Sequence, residues 1–272
     1  RIDIDEVLRL RLPDKYRYIP RWLVRWLENT ICQDELNTLL EHNADRTGVD
    51  FARGVLHELK VGHELAGIIP DPHNRKVILV SNHPLGGLDG LVLACIAEDI
   101  YGKEMPPRFI VNDLLDFVEP LRSLFLGVNK HGAQSRSKAT AIDGAFASEA
   151  PILMFPAGLV SRRQPDGSVS DLTWHKMAVV KAISSHRDII PVHFSGNNSQ
   201  FFYKFAQLRV RLGLRFNIEM VRLPREMLLS RGQNYRVTFG SPIGWETLRG
   251  GRDAAAQAEE LRNIVYALPC QK

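Results

Sequence analysis

The spacing of hydrophobic positions changes rhythm near residue 70. Before it, apolar residues recur at helical spacing. Residues 21 to 31 read RWLVRWLENTI and place Trp22, Leu23, Trp26 and Leu27 on one face, with Arg21 and Arg25 beside it. Residues 34 to 40 and 50 to 65 read as further helices, and no convincing strand precedes residue 70. From residue 75, short apolar runs alternate with helical stretches. Strands are expected at 76 to 81, 108 to 112, 127 to 129, 151 to 155, 189 to 195, 216 to 223 and 235 to 239. Helices are expected at 90 to 101, 114 to 125, 135 to 148, 173 to 185, 200 to 212 and 254 to 268. Strands separated by helices of this length predict an α/β fold with a largely parallel sheet flanked by helices. The stretch IIPDPHNR at 68 to 75 predicts a boundary there. It would divide a small helical N-terminal subdomain (residues 1–70) from an α/β domain (residues 71–272).

Composition narrows the class. A chain of 272 residues that is 44% hydrophobic and 24% charged can bury a sizeable core, as soluble globular proteins do. Cys32, Cys95 and Cys270 are an odd number at distant positions, with no CxxC or Cys/His ligand spacing. A disulfide framework and a zinc site are therefore not expected, and a reducing compartment fits. No apolar run approaches the ~20 residues that span a bilayer. No signal peptide is visible, although Arg1 in place of Met leaves a leader open.

Net charge is +4 but uneven. Residues 204 to 236 hold eight Lys/Arg (Lys204, Arg209, Arg211, Arg215, Arg222, Arg225, Arg231, Arg236) against Glu219 and Glu226. Two readings stand: a site for phosphate, nucleic acid or an anionic membrane face, or a solvated face. The Trp-and-Arg helix at 21 to 31 also has two readings. It suits a membrane interface, where indole rings and snorkelling Arg side chains sit together, and it suits packing on a core.

Chemistry concentrates in Val77-Ile78-Leu79-Val80-Ser81-Asn82-His83-Pro84-Leu85-Gly86-Gly87-Leu88-Asp89-Gly90. A strand ends in Asn-His, a glycine turn follows, and Asp89 stands near a helix start. An imidazole oriented by a carboxylate is a general base for a hydroxyl or amine. The alternative makes His83 a turn residue and Asp89 an N-cap. Farther on, Phe155-Pro156-Ala157-Gly158-Leu159-Val160-Ser161-Arg162-Arg163 closes a strand with Pro-x-Gly, then a Ser and two Arg that can clamp an anion. Lys130 and His131 follow the short strand at 127 to 129. His193, inside an apolar strand, reads as a core residue.

Other chemistries drop out. His57-Glu58 and His63-Glu64 lack the second His of a zincin. No G-x-S-x-G elbow, Walker A or GxGxxG fingerprint occurs. No RNP-like aromatic strand accompanies the basic region, so nucleic acid is not an expected partner.

The order Asn-His…Asp, then a strand with Asn129-Lys130, then Phe-Pro-x-Gly with Ser and Arg, then a Pro-containing strand, resembles the glycerolipid acyltransferase family of lysophosphatidate type. It covers residues 70 to 245. The Asn82-to-Gly90 form is most similar to a hemolysin-like bacterial branch, near the O-acyltransferases that complete ornithine and related amino-acid lipids. The resemblance implies acyl transfer from acyl carrier protein or coenzyme A to a lyso-lipid hydroxyl, with no bound cofactor or metal. It implies His83 as general base and Asp89 as its orienting carboxylate. Asn129, Lys130, Gly158, Ser161 and Arg162 would contact the acceptor. It further implies a cytoplasmic enzyme, peripheral on the inner face of the cell membrane and meeting anionic lipid. Two departures bear on this. Five residues, not the usual four, separate His83 from Asp89, which Gly86-Gly87 would accommodate. Ala157 replaces the usual Glu of Phe-Pro-Glu-Gly, which opens a non-catalytic lipid- or carrier-binding alternative. A phosphoesterase or other hydrolase built on His83 and the Arg pair is the third reading.

Overall fold

The structure, a computed structural model, describes residues 1–112, 118–128, 136–214 and 217–268. Four helices come first: α1 (Ile4–Arg11), α2 (Arg21–Ile31), α3 (Gln33–His42) and α4 (Gly48–Glu58). Then follow β1 (Gly62–Gly67), β2 (Val77–Ser81), α5 (Leu88–Tyr101), β3 (Arg108–Asn112) and β4 (Phe125–Val128). The chain continues through α6 (Arg136–Ala147), β5 (Ile152–Met154), a small hairpin β6 (Arg162–Arg163) and β7 (Val169–Ser170), then α7 (Met177–Ser185) and β8 (Asp188–Phe194). It closes with α8 (Gln200–Arg211), α9 (Leu223–Leu229), β9 (Asn234–Phe239) and α10 (Ala254–Ala267).

Seven strands form one sheet in the order β1-β9-β8-β2-β5-β3-β4. Every pairing in it is parallel except β8 with β9. The central strands are apolar on both faces because helices cover both. Val77 and Leu79 of β2 pack with α4 and α5, whereas Ile78 and Val80 pack with α6, α7 and α10. In β5 the same alternation sends Leu153 one way and Ile152 and Met154 the other. The expected largely parallel α/β sheet is the one found. No described helix is long and apolar enough to cross a membrane.

Three expected elements differ. Residues 62 to 65, the end of an expected helix, join Ala66 and Gly67 in the edge strand β1, paired along its length with β9. Their sequence GHELAG has no apolar alternation; the open edge of β9 supplies the pairing that propensity does not. Of residues 216 to 223, expected as a strand, residue 216 lies outside the described residues, and Ile218–Arg222 is instead a 3-10 helix that runs into α9. Pro224 suits a helix start, and Glu219 turns inward onto two arginines. Of the expected helix at 114 to 125, residues 114–117 lie outside the described residues. Glu119–Leu124 is a 3-10 helix, and Phe125 already belongs to β4.

Candidate active site

Parallel neighbours bring their carboxyl ends to one edge of the sheet, which is where α/β proteins place their sites. His83 follows the end of β2, and the Phe155-to-Ser161 turn follows the end of β5 beside it. Asn82 fixes where β2 stops. Its side-chain amide donates to the Phe194 carbonyl at 2.9 Å and accepts from the Phe194 N–H at 2.7 Å, which extends the pairing with β8 by one rung. The Ser161 N–H then donates to the His83 carbonyl at 2.9 Å and ties the two turns together.

His83 Nδ1 lies 3.0 Å from Asp89 Oδ2. Asp89 is fully buried in the first turn of α5. Its Oδ2 also accepts from the N–H groups of Leu85 (2.9 Å) and Gly86 (3.3 Å), and Oδ1 accepts from Gly90 N–H (2.9 Å). Burial alone would raise this carboxyl's pKa, but His83 and the backbone N–H groups outweigh it and hold the pKa below the usual range. Burial likewise pushes the His83 imidazole down, and Asp89, with a smaller contribution from Asp171, carries it above its ordinary value. An ionised Asp89 needs a donor, so His83 carries its proton on Nδ1 and offers the Nε2 lone pair. Nε2 makes no hydrogen bond among the described residues. Phe155 stacks on the ring with centroids 4.0 Å apart and limits its rotation.

Of the two glycines between His83 and Asp89, only Gly86 has a backbone conformation that calls for glycine. Gly86 has φ +81°, and a Cβ there would meet Val160 Cγ2 at 2.4 Å and Leu223 at 2.8 Å. Gly87 has extended backbone and open space around it, so this turn does not require a second glycine.

The other expected residues fall as follows. Gly158 has φ +62° and closes a turn by donating to the Phe155 carbonyl at 2.9 Å. Ser161 is buried beside His83 and donates its hydroxyl to Asp171 Oδ1 at 2.5 Å. Arg162 is also buried; it donates to the Val160 carbonyl (2.7 Å) and pairs with Glu219 (2.7 Å). Ala157 faces the apolar cluster that includes Trp174, a place hostile to a carboxylate. Asn129 and Lys130 lie outside the described residues. His193 is half-buried with its ring edge-on to Tyr266.

A family model described as Acyltransferase matches residues 6–271. The chain belongs to the acyltransferase family. Among curated proteins it is 42% identical over 267 residues to a lyso-glycine lipid O-acyltransferase of Phocaeicola vulgatus, covering 98% of this chain and 95% of that one. A protein of the same description from Bacteroides thetaiotaomicron is 40% identical over 267 residues, covering 98% and 97%. Among solved structures, the 1-acyl-sn-glycerophosphate (LPA) acyltransferase PlsC from Thermotoga maritima superposes with a TM-score of 0.50 at 17% identity, covering 82% of this chain and 79% of that one. That likeness shows the shared fold.

One residue of this acyltransferase escapes any local reading of its sequence. Asp171, directly after β7, is buried and accepts from the His83 backbone N–H (3.2 Å), the Ser161 hydroxyl and the Trp174 indole N–H (2.9 Å). Its own N–H donates to the Tyr266 hydroxyl (2.7 Å), and Arg262 donates to its carbonyl (2.9 Å), so α10 anchors it from behind. Asp171 follows an ordinary Asp-Gly hairpin sequence, and nothing in that pattern marks it.

Proposed function

We propose that this acyltransferase moves an acyl group from a thioester, acyl carrier protein or coenzyme A, to the hydroxyl of a lyso amino-acid lipid of the lyso-glycine type. The observation that carries the mechanism is the His83–Asp89 pair, with Nε2 unpartnered among the described residues. The acceptor hydroxyl gives its proton to Nε2 as its oxygen attacks the thioester carbonyl. The C–S bond breaks, and the departing thiolate takes the proton back from the imidazolium. Asp89 holds the tautomer and balances the transient positive charge. Asn129, Lys130, Gly158, Ser161 and Arg162 remain the acceptor-side residues of this reading, Ser161 and Arg162 acting through the turn they hold.

The enzyme is proposed to work at the cytoplasmic face of the cell membrane without spanning it. On α2, Val24 and Ile31 face inward, while Trp22 is 69% and Trp26 40% exposed. Around α2 pack α1, α9 and the 3-10 helix 218–222, which in turn contacts α8. Leu10, Phe201 and Leu229 stand exposed on these neighbouring elements, and Leu212 directly after α8. Indole rings amid leucines and arginines suit a lipid interface. Co-sedimentation with anionic vesicles at low salt, weakened in a Trp22→Ala/Trp26→Ala variant, is the expected result. No sedimentation of the intact protein would sink this part of the reading.

Transfer from labelled acyl-carrier-protein and acyl-CoA donors to lyso-glycine lipid, lyso-ornithine lipid and lysophosphatidate tests the chemistry. Loss of at least 10²-fold in His83→Ala is expected, since general-base removal has that scale. No transfer to any acceptor by the folded protein would leave a lipid- or carrier-binding role in its place.

A further inference from the structure

Next to the catalytic turns, but not part of them, a groove of about 430 Å³ runs between the β6–β7 hairpin and α8. Arg162, Arg163, Arg209 and Arg211 line it, with Leu172 and Val210 among its apolar members, and among the described residues no Asp or Glu is in the lining. Behind it, Glu219 is fully buried and forms ion pairs with two of the four: Arg162, which donates a hydrogen bond to it at 2.7 Å, and Arg209, whose Nε lies 2.9 Å away without hydrogen-bond geometry. Among the described residues, Arg163 and Arg211 have no carboxylate partner. Arg163 donates to the neutral Gln200 side chain and lies over the Tyr203 ring, and its Nε is buried without a hydrogen-bond partner.

We infer that this groove binds a carboxylate or phosphate group carried by one of the enzyme's two substrates. The inference rests on the transferase reading and deepens it. Four guanidinium groups against one carboxylate leave a local positive excess, and arginine forks match both oxyanions. Glu219 keeps Arg162 and Arg209 fixed, so the wall is set before the ligand arrives. The apolar rim, where Leu172 and Val210 are exposed, suits an amphiphile rather than a free inorganic ion. Position ties the groove to the chemistry: Arg162 follows Ser161, whose N–H holds the His83 carbonyl. Two sources carry such a group, the carboxylate of an amino-acid lipid acceptor and the phosphate of the donor's phosphopantetheine arm.

The test measures equilibrium binding of N-palmitoylglycine and of coenzyme A to the wild type, Arg163→Gln and Arg211→Gln, alongside KM for acceptor and donor. A tenfold or greater loss of N-palmitoylglycine affinity, with acceptor KM rising and donor KM unchanged, assigns the groove to the acceptor. The same loss for coenzyme A, with donor KM rising, assigns it to the donor. Unchanged affinity and KM on both arms overturns the inference, as does a wild type that binds neither probe. Arg211 is exposed, so Arg211→Gln decides the matter if Arg163→Gln does not fold. Failure of the transferase reading is separable: a protein that binds a probe through these arginines but transfers nothing keeps the groove and loses the reaction.

Discussion

Replacing Asp89 with Asn tests the site with the least change of shape. The carboxylate receives four donors: His83 Nδ1–H and Leu85 N–H at 3.0 and 2.9 Å, Gly86 N–H at 3.3 Å and Gly90 N–H at 2.9 Å. An amide has one oxygen. With that oxygen toward His83, the amide NH₂ faces Gly90 N–H, and one buried donor is stranded. With it toward Gly90, the NH₂ faces three donors, and His83 can accept from it only by moving its proton to Nε2. That second arrangement removes the lone pair the reaction needs. Stranding one buried donor costs roughly 1–3 kcal/mol, so a folded but less stable enzyme is expected. Loss of charge and tautomer control predicts a drop in kcat of about 10²- to 10⁴-fold. The pH dependence adds a signature. A base must be neutral, so wild-type kcat/KM falls as pH drops through the raised His83 pKa. Without Asp89, burial dominates and that acidic limb moves to lower pH. The assay is kcat/KM between pH 5 and 9 beside thermal unfolding. An Asp89→Asn enzyme within threefold of wild type, with its acidic limb unmoved, would refute the general-base reasoning.

Asp171→Asn should lower kcat by about tenfold and shift the same acidic limb downward, because Asp171 also raises the His83 pKa; a pure KM effect would exclude this positioning role. Arg187 is wholly buried and donates to the carbonyls of Val77, Ala145, Phe146, Ser148 and Ala150. Arg187→Met should therefore cost about 3–5 kcal/mol in chemical denaturation, and a loss below 1 kcal/mol would show the carbonyls finding other donors. Burial holds the His193 pKa down at about 4 against 6.5 unfolded. As pH falls through that window the unfolded chain takes up a proton that the folded one refuses, so about 3 kcal/mol of stability should disappear. His193→Phe should remove most of this pH dependence, and an unaltered slope would place the effect elsewhere.

Much of the fold was legible because its cues are local. The helix at Arg21–Ile31 and the strand at Arg108–Asn112 fall where the apolar spacing put them, and β2 and β9 differ by one residue at one end. These segments carry their own periodicity. β1 was not legible, since GHELAG becomes a strand only against β9, which lies far along the chain. Residues 218 to 222 were misread because an inward Glu219 satisfies a strand-like run of letters only when Arg162 and Arg209 surround it.

The site divides the same way. His83, Asp89 and Gly86 lie within one turn, where spacing alone constrains which groups meet, and the sequence by itself determined that pair. Ser161 beside His83, Asp171 beneath both, and the arginine groove against α8 were decided only by tertiary structure. Each joins segments far apart in sequence, and it is the parallel pairing of β2 with β5 that brings their carboxyl ends to the same edge. Sequence order records chemistry within a turn; contacts between turns depend on which strands become neighbours, and that is settled by burying both faces of the whole sheet at once.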